Sequence, residues 1–303
     1  METNPHPSYN PNPNLNPGST SKTSKAAVAS LVCGILGLCL LVPSLFGGIL
    51  GIIALIKINQ SQGSLKGTGL AIGGLATSAL SIITVGIFAI MLLPALARAK
   101  AKANRIKCVN NLGSIGKALQ GFADDNGQRL PWQLNPIQQQ NHFGEAGMVA
   151  NSAARIVNIA AMRRELQTPK ILVSPSDPER MAGNEMLQTN WQAASEMQIA
   201  AGLSYVFAAP GGDVQRPSTV LALTRNIRTD LNSDWIGADE PGAGMNPNVM
   251  AGLNKSQGQL VLADGSAKQS TNADLGMSGK ITQAHINSRG GQNKGNASTA
   301  VLR

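Results

Sequence analysis

Three histidines, His6, His142 and His285, are the only imidazoles in 303 residues. None stands in an HExxH pair or a Cys/His cluster with metal-ligand spacing, so zinc chemistry has no ligand set here. A nucleophilic triad can be composed on paper from Ser176, His142 and Asp177, but no GxSxG elbow surrounds the serine and nothing in the spacing gathers the three. Asp124, Asp125, Asn126 and Gly127 offer oxygens of the kind Ca²⁺ takes, without the twelve-residue loop and closing Glu of an EF-hand. Residues of these types also end helices, and that is the simpler reading. Asp264 before Gly265 reads as a turn residue, and Asp177 after Pro175 and Ser176 as a cap. Cys33 and Cys39 fall in an apolar run, which leaves Cys108 as the one thiol of the polar remainder and excludes a disulfide framework or CxxC metal site there. Trp132, Trp191, Tyr205, Phe207 and Trp235 are too scattered for a sugar-stacking platform and read as core. The expectation is no catalytic, cofactor-binding or metal-ligating residue: a protein that is not an enzyme and carries no cofactor.

What these residues sit on is a chain of two solubilities. Residues 1–25, rich in Asn, Pro and Ser, have little to bury and read as a disordered tail. The net charge of +9 is localised: residues 1–97 carry four Lys and one Glu, residues 98–107 five basic residues and no acid, and residues 108–303 sixteen basic against fifteen acidic. The excess charge therefore flanks an apolar segment, where it meets anionic lipid headgroups, and no basic stripe with interleaved aromatics is present to read nucleic acid.

Residues 26–97 read as a membrane domain. Ala26 to Ile56 is uncharged between Lys25 and Lys57, and one straight helix of that length would be about 46 Å against a hydrocarbon core of about 30 Å. Pro43, Ser44, Gly47 and Gly48 in its middle divide it into a hairpin of two short helices or kink a single tilted span. The second run, Gly67 to Ala97, carries Gly69, Ala71, Gly73, Gly74, Ala76, Ser78 and Ala79, small residues that suit close packing on the first run. "ASLVCGILGL…GIIALIKI…LKGTGLAIGGLATSAL" resembles a small bacterial membrane domain of unknown function, two apolar segments joined by a short polar turn.

After Arg98 the apolar residues become periodic: Ile106, Val109, Leu112, Ile115, Leu119 and Phe122 recur at spacings of three and four, one face of a helix. Lys107, Asn110, Asn111, Ser114, Lys117 and Gln120 make the other. The pattern predicts one helix running out of the bilayer and laying a stripe on a soluble core, bent at Pro94 and ended by "DDNG" at 124–127. Beyond it, residues 154–167 have helical spacing, "PKILV" reads as a short strand, "LSYVFA" and "STVLALT" as strands, and "GQLVLADGSAKQ" as a hairpin about Asp264–Gly265. The fold class is α+β: helical membrane segments, then a long membrane-to-soluble helix packed on a small antiparallel sheet over 98–275. Residues 276–303, rich in Gly, Asn and Ser, read as a flexible tail.

"LLPALARAKAKANRIKCVNNLGSIGKALQGFADDNGQRLPW" resembles the N-terminal helix and following turn of type IV pilins and type II secretion pseudopilins, in the group found in planctomycete and verrucomicrobial bacteria. "LQTPKILVSPSDPER", "LSYVFAAPGGDVQRPSTVLALTRNI" and "GQLVLADGSAKQS" resemble later segments of the same group in the same order. The resemblance implies a non-enzymatic, multi-pass membrane protein that displays a pseudopilin-like domain for protein–protein assembly, with the bilayer and pilin-like or secretion-system subunits as partners and no nucleic acid. A membrane-tethered ligand-binding or sensory module is the alternative. Ile72 falls where a prepilin has its cleavage Gly, and Thr77 where it has a buried Glu, so the chain is expected to stay uncut. Ser174 stands where the group commonly has Cys. Positive-inside charge would keep the domain cytoplasmic, whereas the resemblance puts it outside the cell membrane, the side favoured here.

Overall fold

The computed structural model describes residues 22–23, 25–36, 41–60, 65–145, 151–182, 191, 194–287 and 298–303. They fall into two compact units, Met1–Leu96 and Ala97–Arg303. The tail expected to be disordered lies outside the described residues up to Ser21, and so do residues 288–297.

In the first unit, α1 (Lys25–Leu36) and α2 (Leu41–Gln60) form a helical hairpin, followed by the start of α3 (Thr68–Asp125). Two-residue strands β1 (Lys22–Thr23) and β2 (Leu65–Lys66) pair in parallel beside them. The first apolar run is thus divided, but not at Pro43 to Gly48 as its sequence suggests: α2 runs through all four of those residues. Pro43 lies in the first turn of α2, where backbone N–H groups have no intrahelical acceptor and its missing donor costs nothing.

The packing of this unit is inverted relative to a water-soluble protein. Ser30 is fully buried and its Oγ donates to the Gly47 carbonyl at 3.1 Å, tying α1 to α2. Ala71, Gly74 and Ser78 of α3 are buried as well, whereas Gly69, Ala76 and Ala79 face outward, so only part of the small-residue set is used for packing. A Cβ on Gly74 would lie 2.7 Å from the Ser30 carbonyl carbon, so α1 and α3 approach as closely as their backbones allow. Ile58 is buried beside Ala54 and Ala71, but most of the large apolar side chains point the other way: Phe46, Ile49, Ile53, Ile83, Phe88 and Leu93 are all exposed. Small and polar inside with large and apolar outside is the order an apolar solvent selects. α3 is long and apolar enough to cross a membrane, and almost none of its apolar stretch is buried within the protein.

In the second unit the rest of α3 lies on a four-stranded antiparallel meander, β3 (Tyr205–Phe207), β4 (Val220–Thr224), β5 (Gly258–Leu262) and β6 (Ala267–Ser270), in the order 3-4-5-6. The protein is α+β, with the long helix and small antiparallel sheet that the sequence pattern calls for. The helix stripe is buried from Cys108 through Leu112, Ile115, Leu119 and Phe122. Its expected first member, Ile106, is half exposed instead, and Asn111, placed by its type on the outer face, is buried and donates to the Val173 carbonyl at 3.4 Å. Gly116 gives the closest approach to the sheet: a Cβ there would be 2.5 Å from Cγ2 of Val261 on β5.

Between helix and sheet run short elements: α4 (Pro136–Phe143), α5 (Ala153–Asn158), α6 (Ala160–Leu166), α7 (Pro178–Ala182) and α8 (Glu196–Gly202). The single helix expected over 154–167 is two, broken where Ile159 takes an extended ψ of 137°. "PKILV" is not a strand but a 3-10 turn, Pro169–Leu172, because Thr168 caps it by accepting from the Lys170 N–H and Pro169 supplies a helical φ at its first position. The Asp264–Gly265 turn joins β5 to β6, with Gly265 at φ +81°.

Both faces of the sheet are covered. The second cluster packs Val206, Val220, Leu223 and Leu260 against Leu231, Trp235, Leu275 and Ile281. Ile281 belongs to α9 (Lys280–Ile286), and Leu302 extends the β3 edge by exchanging backbone bonds with Phe207 at 2.8 and 3.1 Å. The flexible tail expected from Gly276 onward is therefore corrected for Lys280–Ile286 and 298–303. Three of its apolar residues, Ile281, Val301 and Leu302, close one sheet face and one sheet edge, and composition over the whole segment conceals them.

Candidate functional site

Cys108, one turn before the buried stripe proper, brings its thiol into a polar cluster between α3 and the sheet. Cys108 Sγ donates to Gln259 Oε1 at 3.0 Å, accepts from Ser174 Oγ at 3.1 Å and lies 3.5 Å from the Tyr205 hydroxyl. All four residues are essentially inaccessible to solvent. Burial pushes the Cys108 thiol up to about 11, and burial together with the neighbouring sulfur raises the Tyr205 phenol well above its ordinary value. A thiol held protonated is neither a nucleophile nor a metal ligand at neutral pH. The cluster satisfies polar groups in a dry interior and positions the segment 173–177 against the helix.

That segment leads into a buried ion pair. The Ser174 hydroxyl accepts from the Ser176 N–H at 3.1 Å, the Ser174 carbonyl accepts from the Asp177 N–H at 3.0 Å, and the turn delivers Asp177 to the end of β4. Arg225 donates to both carboxylate oxygens, Nε to Oδ2 at 2.7 Å and Nη2 to Oδ1 at 2.8 Å, with both side chains buried. Its remaining nitrogen, Nη1, donates to the Pro247 carbonyl. Asp177, read from the sequence as a cap, is thus the counter-ion of an arginine 48 residues away. The motif "PSDP" marked the turn; nothing local marked Arg225.

Two more guanidiniums converge beside this pair. Arg180 of α7 donates to the carbonyls of Ala200 and Ala201 at the end of α8, and Arg303 donates to the carbonyls of Arg225 and Ile227 at 3.1 and 2.8 Å. Arg180, Arg225 and Arg303 border one cavity of about 90 Å³ with Ser152, Asn248 and Leu203. Burial and the charge of Arg225 push both the Arg180 and Arg303 guanidiniums below their ordinary value. A separate groove of about 160 Å³ lies between α3 and the 168–175 segment, its apolar floor flanked by Lys107 and Lys170.

The other sequence candidates are held apart by different partners. His142 pairs through Nε2 with Asn126 Oδ1 at 2.8 Å and stacks at a tilt on Phe122, Asp177 is engaged by Arg225, and Ser176 Oγ is buried without a hydrogen-bond partner, so Ser176, His142 and Asp177 form no triad. Asp124, Asn126 and Gly127 terminate α3: Asp124 Oδ1 accepts from Gln128 Nε2 at 2.7 Å, Asn126 Nδ2 donates to the Phe122 carbonyl, and Gly127 adopts φ +65°. Asp264 accepts from the Ser266 N–H and hydroxyl within its hairpin turn. Among the described residues no group of three or more His, Cys, Asp or Glu is arranged to hold a metal ion. His285 is buried with both nitrogens bonded, Nδ1 accepting from the Val220 N–H at 3.0 Å and Nε2 facing the Ser298 carbonyl at 2.9 Å, and serves to hold α9 on β4.

Residues 26–90 match a family described as a domain of unknown function, DUF4190. No curated protein and no solved structure matches the chain.

Proposed function

We propose that this is a multi-pass, non-enzymatic protein of the bacterial cell membrane that displays a pseudopilin-like domain on the outer side and acts by protein–protein contact near a type II secretion or pilus-type system. The observation that carries the reading is α3. One helix of 58 residues has an apolar first half whose side chains face outward and a second half whose stripe is buried on an antiparallel meander. A helix shared in this way between lipid and a folded domain suits a subunit that anchors and packs laterally through one element. The inverted packing of α1 and α2 against α3 supports further passes through the bilayer.

Thr77, where the resembled subunits carry a buried acid, donates its hydroxyl back to the Gly73 and Gly74 carbonyls at 2.9 and 3.1 Å and so offers no charge to a neighbouring subunit. Ile72 is exposed and helical, with no glycine at the position a prepilin peptidase would read. Both favour an uncut subunit that associates with an assembly without polymerising by itself.

The test is protease shaving of intact spheroplasts, with mass mapping of the protected anchor and of the native N-terminus. The reading requires loss of the domain after residue 97 from the outside and an uncut N-terminus. Protection until the membrane is broken, or a mature N-terminus between residues 66 and 78, would sink it.

A further inference from the structure

We infer that the cavity between Arg105 of α3 and the open end of the β5–β6 hairpin binds an oxyanion group, phosphate or carboxylate, carried on a small polar body. The inference does not depend on the assembly reading.

Gly258 at the start of β5 and Ser270 at the end of β6 are register partners, so the two strands part beyond them, and residues 255–257 and Thr271 form a mouth there. Arg105, one turn before Cys108 on α3, borders its other side. The space is about 350 Å³, enough for the body of a small molecule as well as its charged end.

The donors around it are unengaged. Among the described residues Arg105 has no hydrogen-bond or ion-pair partner: its Nε is shut off from solvent and unpaired, and its two outer nitrogens are unpaired and open. Lys255 is exposed, and its ammonium takes part in no ion pair among the described residues. Gln259 is only 1 % exposed; its Oε1 accepts the Cys108 thiol, which leaves Nε2 as a donor without an acceptor at the cavity wall. Native interiors leave few such donors unpaired. Two cations and a buried amide around one space call for one kind of partner, an acceptor that carries negative charge.

Other ligand classes fit less well. Among the described residues that border the cavity none is acidic, so a metal ion would meet two positive charges and no carboxylate. None is aromatic, so a neutral ring has nothing to stack on. Asp239 and Asp274 lie at this end of the sheet, but each accepts a backbone N–H, from Lys255 and Thr271, and neither borders the cavity. The mouth is organised in advance: Ser256 Oγ accepts from the Asn272 N–H at 2.9 Å and Gln257 Oε1 from the Asn254 N–H at 3.0 Å, which lowers the ordering cost of binding. Arg105 follows Arg98, the first charge after the apolar run, by about 10 Å of helix, so a dissolved molecule and a lipid headgroup bring the same chemistry within reach.

The experiment is a thermal-unfolding titration of the full chain in nonionic detergent with glycerol 3-phosphate, glycerate and glycerol, each against potassium chloride at equal ionic strength. Micelles doped with phosphatidylglycerol or phosphatidylcholine test the lipid source. A saturable rise in Tm with glycerol 3-phosphate alone assigns a phosphate, with glycerate alone a carboxylate, and with both a general oxyanion site; a rise confined to phosphatidylglycerol assigns a lipid phosphate. The Arg105 and Lys255 side chains hold nothing in the fold, so Arg105→Gln and Lys255→Gln should leave the ligand-free Tm in place. Each should raise the half-saturating concentration about tenfold or more, the worth of one charge-assisted hydrogen bond. Lys107→Gln, which removes the same charge at the separate groove, should leave it unchanged. No saturable rise with any anion, an equal rise with glycerol, or a half-saturation unmoved in the Arg105 and Lys255 variants would overturn the inference.

Discussion

Ser174 Oγ donates a hydrogen bond to Cys108 Sγ at 3.1 Å, across 66 residues of sequence and at the seam between the long helix and the loop that carries Asp177. A serine stands here where the resembled group commonly has a cysteine, and it faces the one free cysteine whose surroundings are described. The geometry thus makes Ser174→Cys a test of the alignment. In a Cys33→Ser, Cys39→Ser background, the introduced thiol should form a disulfide with Cys108 on mild oxidation. Closing a loop of that length contributes about 4 kcal/mol in the chain-entropy account. Intact mass after denaturing alkylation reads the result; two alkylated thiols under oxidising conditions would show that the Cβ vectors do not meet disulfide geometry.

Asp177 and Arg225 make the second test. Removing one member of a buried pair leaves the other charge desolvated and alone, at a cost of about 3–5 kcal/mol. Asp177→Ala is therefore expected to lower the urea midpoint of the second unit far more than Asp264→Ala, which removes only the carboxylate of an exposed turn. Equal effects would mean that the pair contributes no more than a turn residue.

These two examples show which parts of the molecule were legible in the sequence. The apolar stripe of α3 from Leu112 to Phe122, the strands β3 to β5 and the Asp–Gly hairpin announce themselves through local periodicity and turn chemistry, and they are where the pattern puts them. Asp177–Arg225 is non-local, and a lone Arg in "LALTRNI" reads like any strand end. "PKILV" misleads because its β-branched residues suggest a strand, while the Thr–Pro pair before them starts a tight turn. Composition hides the tail for a related reason: a few well-placed apolar residues, Ile281, Val301 and Leu302, suffice to cover a sheet face and edge amid many Gly, Asn and Ser. Pro43 misleads in the first unit, since a proline signals a break only in the interior of a helix and here it lies in the first turn.

Gly116 is predicted to be intolerant of substitution for a reason that a double variant isolates. A Cβ there meets Val261 Cγ2 at 2.5 Å, so Gly116→Ala must push the helix from β5 or force Val261 off its rotamer, at a cost of about 1–3 kcal/mol. Val261→Ala alone also destabilises by opening the core. In combination the new methyl on the helix should occupy space vacated on β5, giving a coupling energy of the opposite sign to the two single losses. Strict additivity in chemical denaturation would place the clash elsewhere.

Gly74 tests the first unit in the same way. A Cβ at this position would lie 2.7 Å from the Ser30 carbonyl carbon and 2.9 Å from the Leu31 nitrogen, backbone atoms that cannot rotate aside. Gly74→Val should part α1 from α3 and lower the Tm of the detergent-solubilised protein. Gly69→Val, with nothing within 4 Å of its Cβ, should be silent. A silent Gly74→Val would mean that α1 does not pack there.

The histidines give the domain a pH dependence whose sign follows from burial. His285 accepts the Val220 N–H at Nδ1, so the neutral ring with its proton on Nε2 is the form that fits, and burial holds its pKa below the ordinary value. His142 shifts the same way, through burial and the nearby Arg164 charge. A depressed folded-state pKa means that the unfolded chain takes up the proton first as pH falls. The stabilising contribution is therefore complete above the unfolded value of about 6.5 and is lost progressively below it, by at most about 1.4 kcal/mol per pH unit for each histidine. Unfolding free energy should accordingly fall between pH 7 and pH 5, in a range where most carboxylates remain ionised. His285→Asn keeps an acceptor near the Val220 N–H but no titratable ring, so its profile over the same range should be flatter than that of the parent chain. An unchanged slope in that variant would assign the effect to His142, and a His142→Gln variant with a flattened slope would establish it.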